Sequence, residues 1–238
     1  MTPERFQRVV AVLNARQRDL TVVADQVHKG QNLSAITRTC DAVGVGLVHS
    51  VYPEGGYRAH KGTTMGAHKW VKTQVHRTIE APLQQCRDVG MQIVAADLRE
   101  DAVDYQEIDY TRPTALVMGN EKVGVSAAAQ PYIDKRITIP MMGMVESFNV
   151  SVAAAIILSE ARRQRLAAGS YSRPPAHDDL YQTTLFEWLH PVLARFCQEK
   201  KLSYPPLDEE GEVADRGWHL RFKPTAVQRA RAARAKVQ

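Results

Sequence analysis

Apolar residues along this chain fall into two rhythms. Near the N-terminus Phe6, Val9, Val10 and Leu13 recur at helical spacing, while Arg5, Arg8, Arg16 and Arg18 stay polar. Thr2-Pro3-Glu4 supplies a hydroxyl N-cap, a proline in the first turn and an acid beside it, so a helix is predicted to start there. From about Leu20 the rhythm changes to short apolar runs: TVVADQV (21–27), VGLVHSVY (45–52), MQIVAADL (91–98), TALVMG (114–119) and RITIP (136–140). Ala115-Leu116-Val117-Met118 is apolar without alternation, as strands covered on both faces are. Helices are predicted between these runs, near 32–43, 80–89 and 126–133, with a long one near 148–168. Strand and helix alternating at this pitch predict an α/β domain with a mostly parallel sheet flanked by helices.

Gly169 ends the long helix, and SRPPAHDD (172–179) breaks the pattern. A further amphipathic helix then carries Leu185, Leu189, Val192 and Phe196 on one face. The expected division is a helical extension over 1–19, the α/β domain over 20–168, a second helical extension over 169–206, and a basic polar tail over 207–238. From Arg221 onward that tail has six cations (Arg221, Lys223, Arg229, Arg231, Arg234, Lys236) and no acid, in a stretch that is helical or disordered. A solvated tail and a contact for an anionic partner are both open readings of it.

Composition narrows the class. Among 238 residues, 44% hydrophobic and 24% charged positions match an ordinary globular chain that buries one sizeable core. The formal charge of +5 is a mild excess that tilts toward an anionic partner. Cys40, Cys86 and Cys197 are too far apart for a zinc ribbon or a disulfide framework, which predicts a reducing, cytoplasmic setting. The N-terminal residues carry charges through their apolar positions, unlike a signal peptide, and no apolar stretch is long enough to span a membrane.

Several chemistries fail on their motifs. GNEKVGVS (119–126) has the glycine spacing of a phosphate loop but Val125 where the lysine must stand. Gly44-Val45-Gly46 follows a helix and lacks the third glycine of a dinucleotide fingerprint. There is no GxSxG elbow and no HExxH pair. Three stretches remain. NLSAITRTCDAVG (32–44) is a helix with Asn32 at its start and Arg38 on it, either a surface arginine or a working one. MGNEKVGVS (118–126) is a strand end and a polar loop, either a tight turn or a ligand contact where α/β folds bind ligands. IPMMGMVESFNVSVAAAII (139–157) places Ser147, Asn149 and Ser151 before an apolar helix, where they can cap it, face a ligand, or both.

Asn32 through Arg38, Gly119-Asn120-Glu121 with Gly124, and Ile139-Pro140 with Ser147-Phe148-Asn149-Val150-Ser151 resemble the three ordered motifs of the SPOUT RNA methyltransferases. Within that superfamily the chain is similar to the TrmH group of tRNA (guanosine-2'-O-)methyltransferases. The likeness runs from the N-terminal helix to about residue 205 and includes HRTI (76–79) and EIDYTRPT (107–114).

The resemblance implies a deep trefoil knot in the C-terminal part of the domain, a homodimer through the knotted faces, and S-adenosylmethionine as methyl donor without a metal. It implies an adenosine site against Ala96, Gly119, Ile139 and Phe148 with Met144 close by, Phe148 standing where relatives often have leucine. It makes Arg38 the catalytic residue. Because a guanidinium keeps its proton, a clamp on the developing alkoxide or on an RNA phosphate stands beside a general-base role. Asn32 and Glu121 are implied to position Arg38 or the RNA, and Ser147 and Asn149 to orient ribose and cofactor. Arg5, Arg8, Arg16 and Arg18 are expected to contact RNA phosphates, and the expected substrate is the D-loop guanosine at tRNA position 18. The alternatives are the same reaction on rRNA or another tRNA nucleotide, and an RNA-binding protein without catalysis.

Overall fold

The structure, a computed structural model, describes residues 1–52, 66–173, 175–215 and 217–218. The cationic stretch 221–238 lies outside the described residues. Two compact units emerge, Asn14–Pro175 and a second formed by Met1–Leu13 with the chain from Ala176.

In the larger unit seven strands form one sheet: β1 (Leu20–Asp25), β2 (Leu47–Val51), β3 (Lys72–His76), β4 (Gln92–Ala96), β5 (Val103–Asp104), β6 (Thr114–Met118) and β7 (Lys135–Thr138). Their order is β3-β2-β1-β6-β4-β7-β5 and every pairing is parallel. The central strands bury both faces, which is why their sequences read as unbroken apolar runs. Val22, Ala24, Val94, Leu116 and Met118 join one core with α2 (Gly30–Ala42) and α4 (Val150–Ala167). Val23, Ile93, Ala95, Ala115 and Val117 join a second core with Leu83 and Cys86 of α3 (Glu80–Asp88).

Three expectations need correction. The segment predicted as a helix near 126–133 is a 3-10 stretch, Ala127–Tyr132, with Pro131 inside it; proline lacks the N–H an α-helix would need. β3 was not predicted, because only His76 of its five residues is buried and an edge strand leaves no apolar run. The helix carrying Leu185 to Phe196 is two helices, α5 (Asp179–Leu189) and α6 (Pro191–Lys200), broken where Pro191 opens the second.

The smaller unit contains α5, α6 and most of α1 (Pro3–Asn14), the predicted first helix. The Met1 ammonium pairs with Glu212, and a Cβ at Gly211 would come within 2.5 Å of the Phe6 ring. α1 is thus fastened to the 207–213 segment.

Candidate functional site

The site is assembled at the C-terminal ends of β6, β4 and β7, next to the place where the strand order reverses beside β1. Parallel α/β sheets open ligand crevices at such points. Its framework is the loop after β6. A Cβ on Gly119 would stand 2.4 Å from the Gly124 carbonyl carbon and 2.5 Å from the Val125 nitrogen, so glycine is required there. Asn120 and Gly124 exchange two backbone hydrogen bonds of 2.9 Å. The Asn120 amide donates to the Gln26 carbonyl at 2.7 Å, and its oxygen accepts the Lys122 N–H at 2.8 Å. The Ser126 N–H donates to Asp25 Oδ2 at 2.7 Å, which locks the loop to the end of β1.

That loop presents Glu121 to α2. The N-cap residue of α2, Lys29, makes no side-chain capping bond. Instead Glu121 reaches across from the loop: its Oε1 accepts from Asn32 Nδ2 at 2.6 Å and its Oε2 from the His28 N–H at 3.1 Å. A carboxylate at a helix N-terminus satisfies free N–H groups and suits the dipole. Burial works against ionisation of Glu121. The Asn32 side chain and the backbone amides of Glu121, His28 and Lys29 outweigh it and hold the carboxyl below its ordinary range.

The third stretch joins through Asn149, the N-cap of α4, whose oxygen accepts the Ser151 N–H at 2.9 Å and hydroxyl at 2.7 Å. Its amide donates to Asn32 Oδ1 at 3.2 Å. Asn149 therefore both caps its helix and closes a hydrogen-bond chain from Ser151 through Asn149 and Asn32 to Glu121. Asn32 is the hub, with both ends of its amide engaged and 9% of the residue exposed.

A cavity of about 630 Å³ opens beside this chain, within the range that small-molecule sites occupy. Ala96, Gly119, Ile139 and Phe148 line it, as do Asn32, Glu121, Ser147 and Asn149. Met144 does not; it is fully exposed on an irregular loop outside the cavity wall. Arg38 is exposed on α2, about 9 Å along the helix axis from Asn32, and is not in the cavity wall. It makes no hydrogen bond or ion pair among the described residues. Residues the sequence did not single out are Met118, Ile137 and Ile157, which add apolar lining beside Val150, and Lys29, Lys122 and Asp97. The wall was hidden inside core periodicity, and the three charged residues carry no local signature.

Of the expected RNA-contacting cations, Arg5, Arg8 and Arg18 are exposed. Arg16 is corrected: it is 8% exposed and structural. Its guanidinium pairs with Asp41 at 2.5 Å and donates to the Val45 and Trp70 carbonyls, tying the segment before β1 to the end of α2. Among the described residues no group of three or more His, Cys, Asp or Glu side chains is placed to hold a metal ion, and no helix is long and apolar enough to cross a membrane.

Comparison with known proteins bears on this arrangement. Residues 19–159 match the model of the SpoU rRNA Methylase family, and residues 163–216 match that of the SpoU rRNA methylase C-terminal region. The chain is 47% identical over 224 residues to a tRNA (guanosine(18)-2'-O)-methyltransferase of Escherichia coli (strain K12), covering 92% of this chain and 96% of that one. The crystal structure of the TrmH/SpoU tRNA modifying enzyme of A. aeolicus superimposes with a TM-score of 0.71 at 42% identity, over 84% of this chain and 98% of the other. The SpoU methyltransferase AviRb from Streptomyces viridochromogenes, solved in complex with the cofactor AdoMet, superimposes with a TM-score of 0.57 at 27% identity, over 65% and 64% of the two chains. With more than half its length matched by the family model, the chain belongs to the SpoU rRNA methylase family.

Proposed function

We propose that this chain is an S-adenosylmethionine-dependent tRNA (guanosine-2'-O-)methyltransferase acting on the ribose 2'-hydroxyl of the D-loop guanosine at position 18. The observation that carries this reading is the hydrogen-bond chain Ser151–Asn149–Asn32–Glu121, which brings three distant stretches to the mouth of one cavity. The cavity suits the cofactor: its lining combines apolar Ile137, Ile139, Val150 and Ile157 for an adenine ring with polar Asn32, Glu121, Ser147 and Asn149.

When bound, S-adenosylmethionine supplies an activated methyl on a sulfonium, which the ribose oxygen takes as its hydroxyl proton leaves. The protein's part is positioning and charge. Asn32, held by Glu121 and Asn149, fixes the first turn of α2 and with it the register of Arg38. Arg38, whose guanidinium has no partner among the described residues, serves the anion that forms, or an RNA phosphate beside it. Ser147 and Asn149 line the wall where ribose and donor meet.

In this reading residues 20–168 are the methyltransferase domain, with the knotted passage the family resemblance implies. Arg5, Arg8 and Arg18 take phosphate contacts on tRNA, and the enzyme works in the cytoplasm. Met142, Val145 and Val152, at 96%, 64% and 45% exposure, support a homodimer through this face, since apolar side chains grouped in the open mark interaction surfaces.

The test uses purified protein, radiolabelled S-adenosylmethionine and an unmodified tRNA transcript, with nuclease digestion to locate the label. A 2'-O-methylguanosine in the D-loop is expected. Label in rRNA alone or at another tRNA nucleotide removes the substrate and keeps the reaction; cofactor binding without label leaves an RNA-binding protein.

A further inference from the structure

One charged group in the cavity wall is not used by the mechanism above. Asp97 follows the last residue of β4, and its N–H donates to the Ile137 carbonyl at 3.1 Å, so its backbone is pinned to β7. Its side chain is 14% exposed and lines the cavity. Oδ2 is buried and lies within ion-pair distance of Arg99 Nε at 3.1 Å and Arg136 Nε at 3.9 Å, without a hydrogen bond among the described residues. Arg136 is in turn held by Asp101 at 2.7 Å and by Gln130 at 2.7 Å. The carboxylate is therefore fixed from behind. Oδ1 receives no hydrogen bond among the described residues. A carboxylate whose backbone is pinned to the sheet, with one oxygen buried beside two guanidinium groups and the other without a hydrogen bond, is an acceptor set in a cavity wall for a ligand donor.

We infer that Asp97 binds the vicinal ribose hydroxyls of the cofactor's adenosine, an assignment that rests on the proposed use of S-adenosylmethionine. The sheet order sets the geometry. Reading across from β1 to β7, the catalytic end with Asn32 and Glu121 comes first, the end of β4 with Asp97 follows, and the apolar surface of Ile137 and Ile139 comes last. A nucleoside lying with its sulfur toward Asn32 and its base against the isoleucines has its sugar at β4. One of two neighbouring hydroxyls can donate to Oδ1 whichever way the sugar turns, and such charge-assisted bonds are the stronger kind. The other acids of the wall are placed otherwise: Glu121 is taken by Asn32 and backbone amides, and Glu146 lies on the exposed loop.

The experiment is calorimetry on the full chain with S-adenosylhomocysteine, with 5'-methylthioadenosine, which has the diol but no sulfonium or amino-acid group, and with the 2',3'-dideoxy form of the latter. Asp97→Ala should weaken methylthioadenosine by about tenfold or more and the dideoxy analogue by less than about twofold. Asp97→Asn, which keeps the size, should fall between. Arg99→Gln should stay within about twofold of the parent, because the Asp97 backbone stays pinned to β7. Equal binding of methylthioadenosine by the parent and both Asp97 variants overturns the proposal. So does a loss of the same size for both nucleosides. If methylthioadenosine is unaffected while S-adenosylhomocysteine weakens, Asp97 faces the amino-acid end and the diol assignment is wrong. Should the parent protein bind none of the three, the cofactor reading fails and this inference with it.

Discussion

Arg38 and Asn32 lie on the same helix yet are put to different uses, and the difference predicts how their variants behave. Arg38 is exposed and outside the cavity wall, so Arg38→Ala should leave S-adenosylhomocysteine affinity within about twofold and lower turnover by a factor on the order of 100 or more. Label incorporation and calorimetry on one preparation decide it; a folded variant that no longer binds the cofactor would place Arg38 in the wrong role. The two glycines of the β6 loop give a second contrast. At Gly119 an added Cβ meets backbone at 2.4 Å, whereas Gly124, at φ 72°, has nothing within 4 Å of its Cβ position. Gly124→Ala costs left-handed backbone strain alone, about 1–2 kcal/mol. Gly119→Ala must open the loop that presents Glu121, so it should weaken cofactor binding by more than about tenfold while Gly124→Ala changes it little. Melting curves and calorimetry on the pair measure this, and equal losses would mean the loop tolerates a Cβ. Arg38, Asn32 and the two glycines were legible because they stand in the motifs that carry the family resemblance. Asp97 was not, since an acid after an apolar run is an ordinary strand end until the cavity is seen.

Among elements, α4 connects the site to the foot of the sheet. Asn149 caps its N-terminus at the cavity; near its other end Arg165 is 1% exposed. The Arg165 guanidinium donates to the carbonyls of Tyr110, Asp19 and Arg112, to the Gln17 side chain and to Asp19 Oδ1. Replacing it with methionine of similar length leaves those acceptors unsatisfied. Asp19 is 46% exposed and can rehydrate, so the cost comes from the buried carbonyls and lost packing. Arg165→Met should lower stability by roughly 2–4 kcal/mol, read as a urea midpoint shift at unchanged slope. A shift below about 0.5 kcal/mol would show that water replaces the guanidinium without cost. None of this was visible in SEARRQRL, where Arg165 looks like its exposed neighbours Arg162 and Arg163. By contrast β1, β4 and β6 were legible because burial on both faces leaves mostly apolar residues. Two-residue β5 and half-wet β3 leave no such record.

At the scale of the larger unit, the sheet brings together groups that the chain keeps 89 and 117 residues apart, as Asn32 meets Glu121 and Asn149. No spacing rule yields that meeting; it follows from the strand order, which local pattern does not contain. The same sheet buries a pair of histidines whose lowered values predict a loss of stability in acid. His49 on β2 and His76 on β3 are 4% and 9% exposed, with Nδ1 of the first 3.0 Å from Nε2 of the second. Burial, and then the charge of His76, push His49 down from 6.5 to about 4, and burial lowers His76 as well. Both imidazoles are thus neutral in the fold at pH values where the unfolded chain already takes up protons. The unfolded state binds more protons between 6.5 and about 4, so the stability from this pair is complete above pH 6.5 and is lost as pH falls toward 4. For His49 the loss is on the order of 2 kcal/mol once partial screening by solvent is allowed for. Carboxylates with lowered values, Glu121 among them, add losses at still lower pH, but a variant that keeps them cancels that part. In urea unfolding at pH 7 and pH 4.5, the double variant His49→Gln with His76→Gln should therefore lose less stability on acidification than the parent. Its absolute stability at pH 7 can be lower without affecting the comparison. Parallel pH curves for the two proteins would show that the histidine pair admits a proton in the folded state and plays no part in the acid limit.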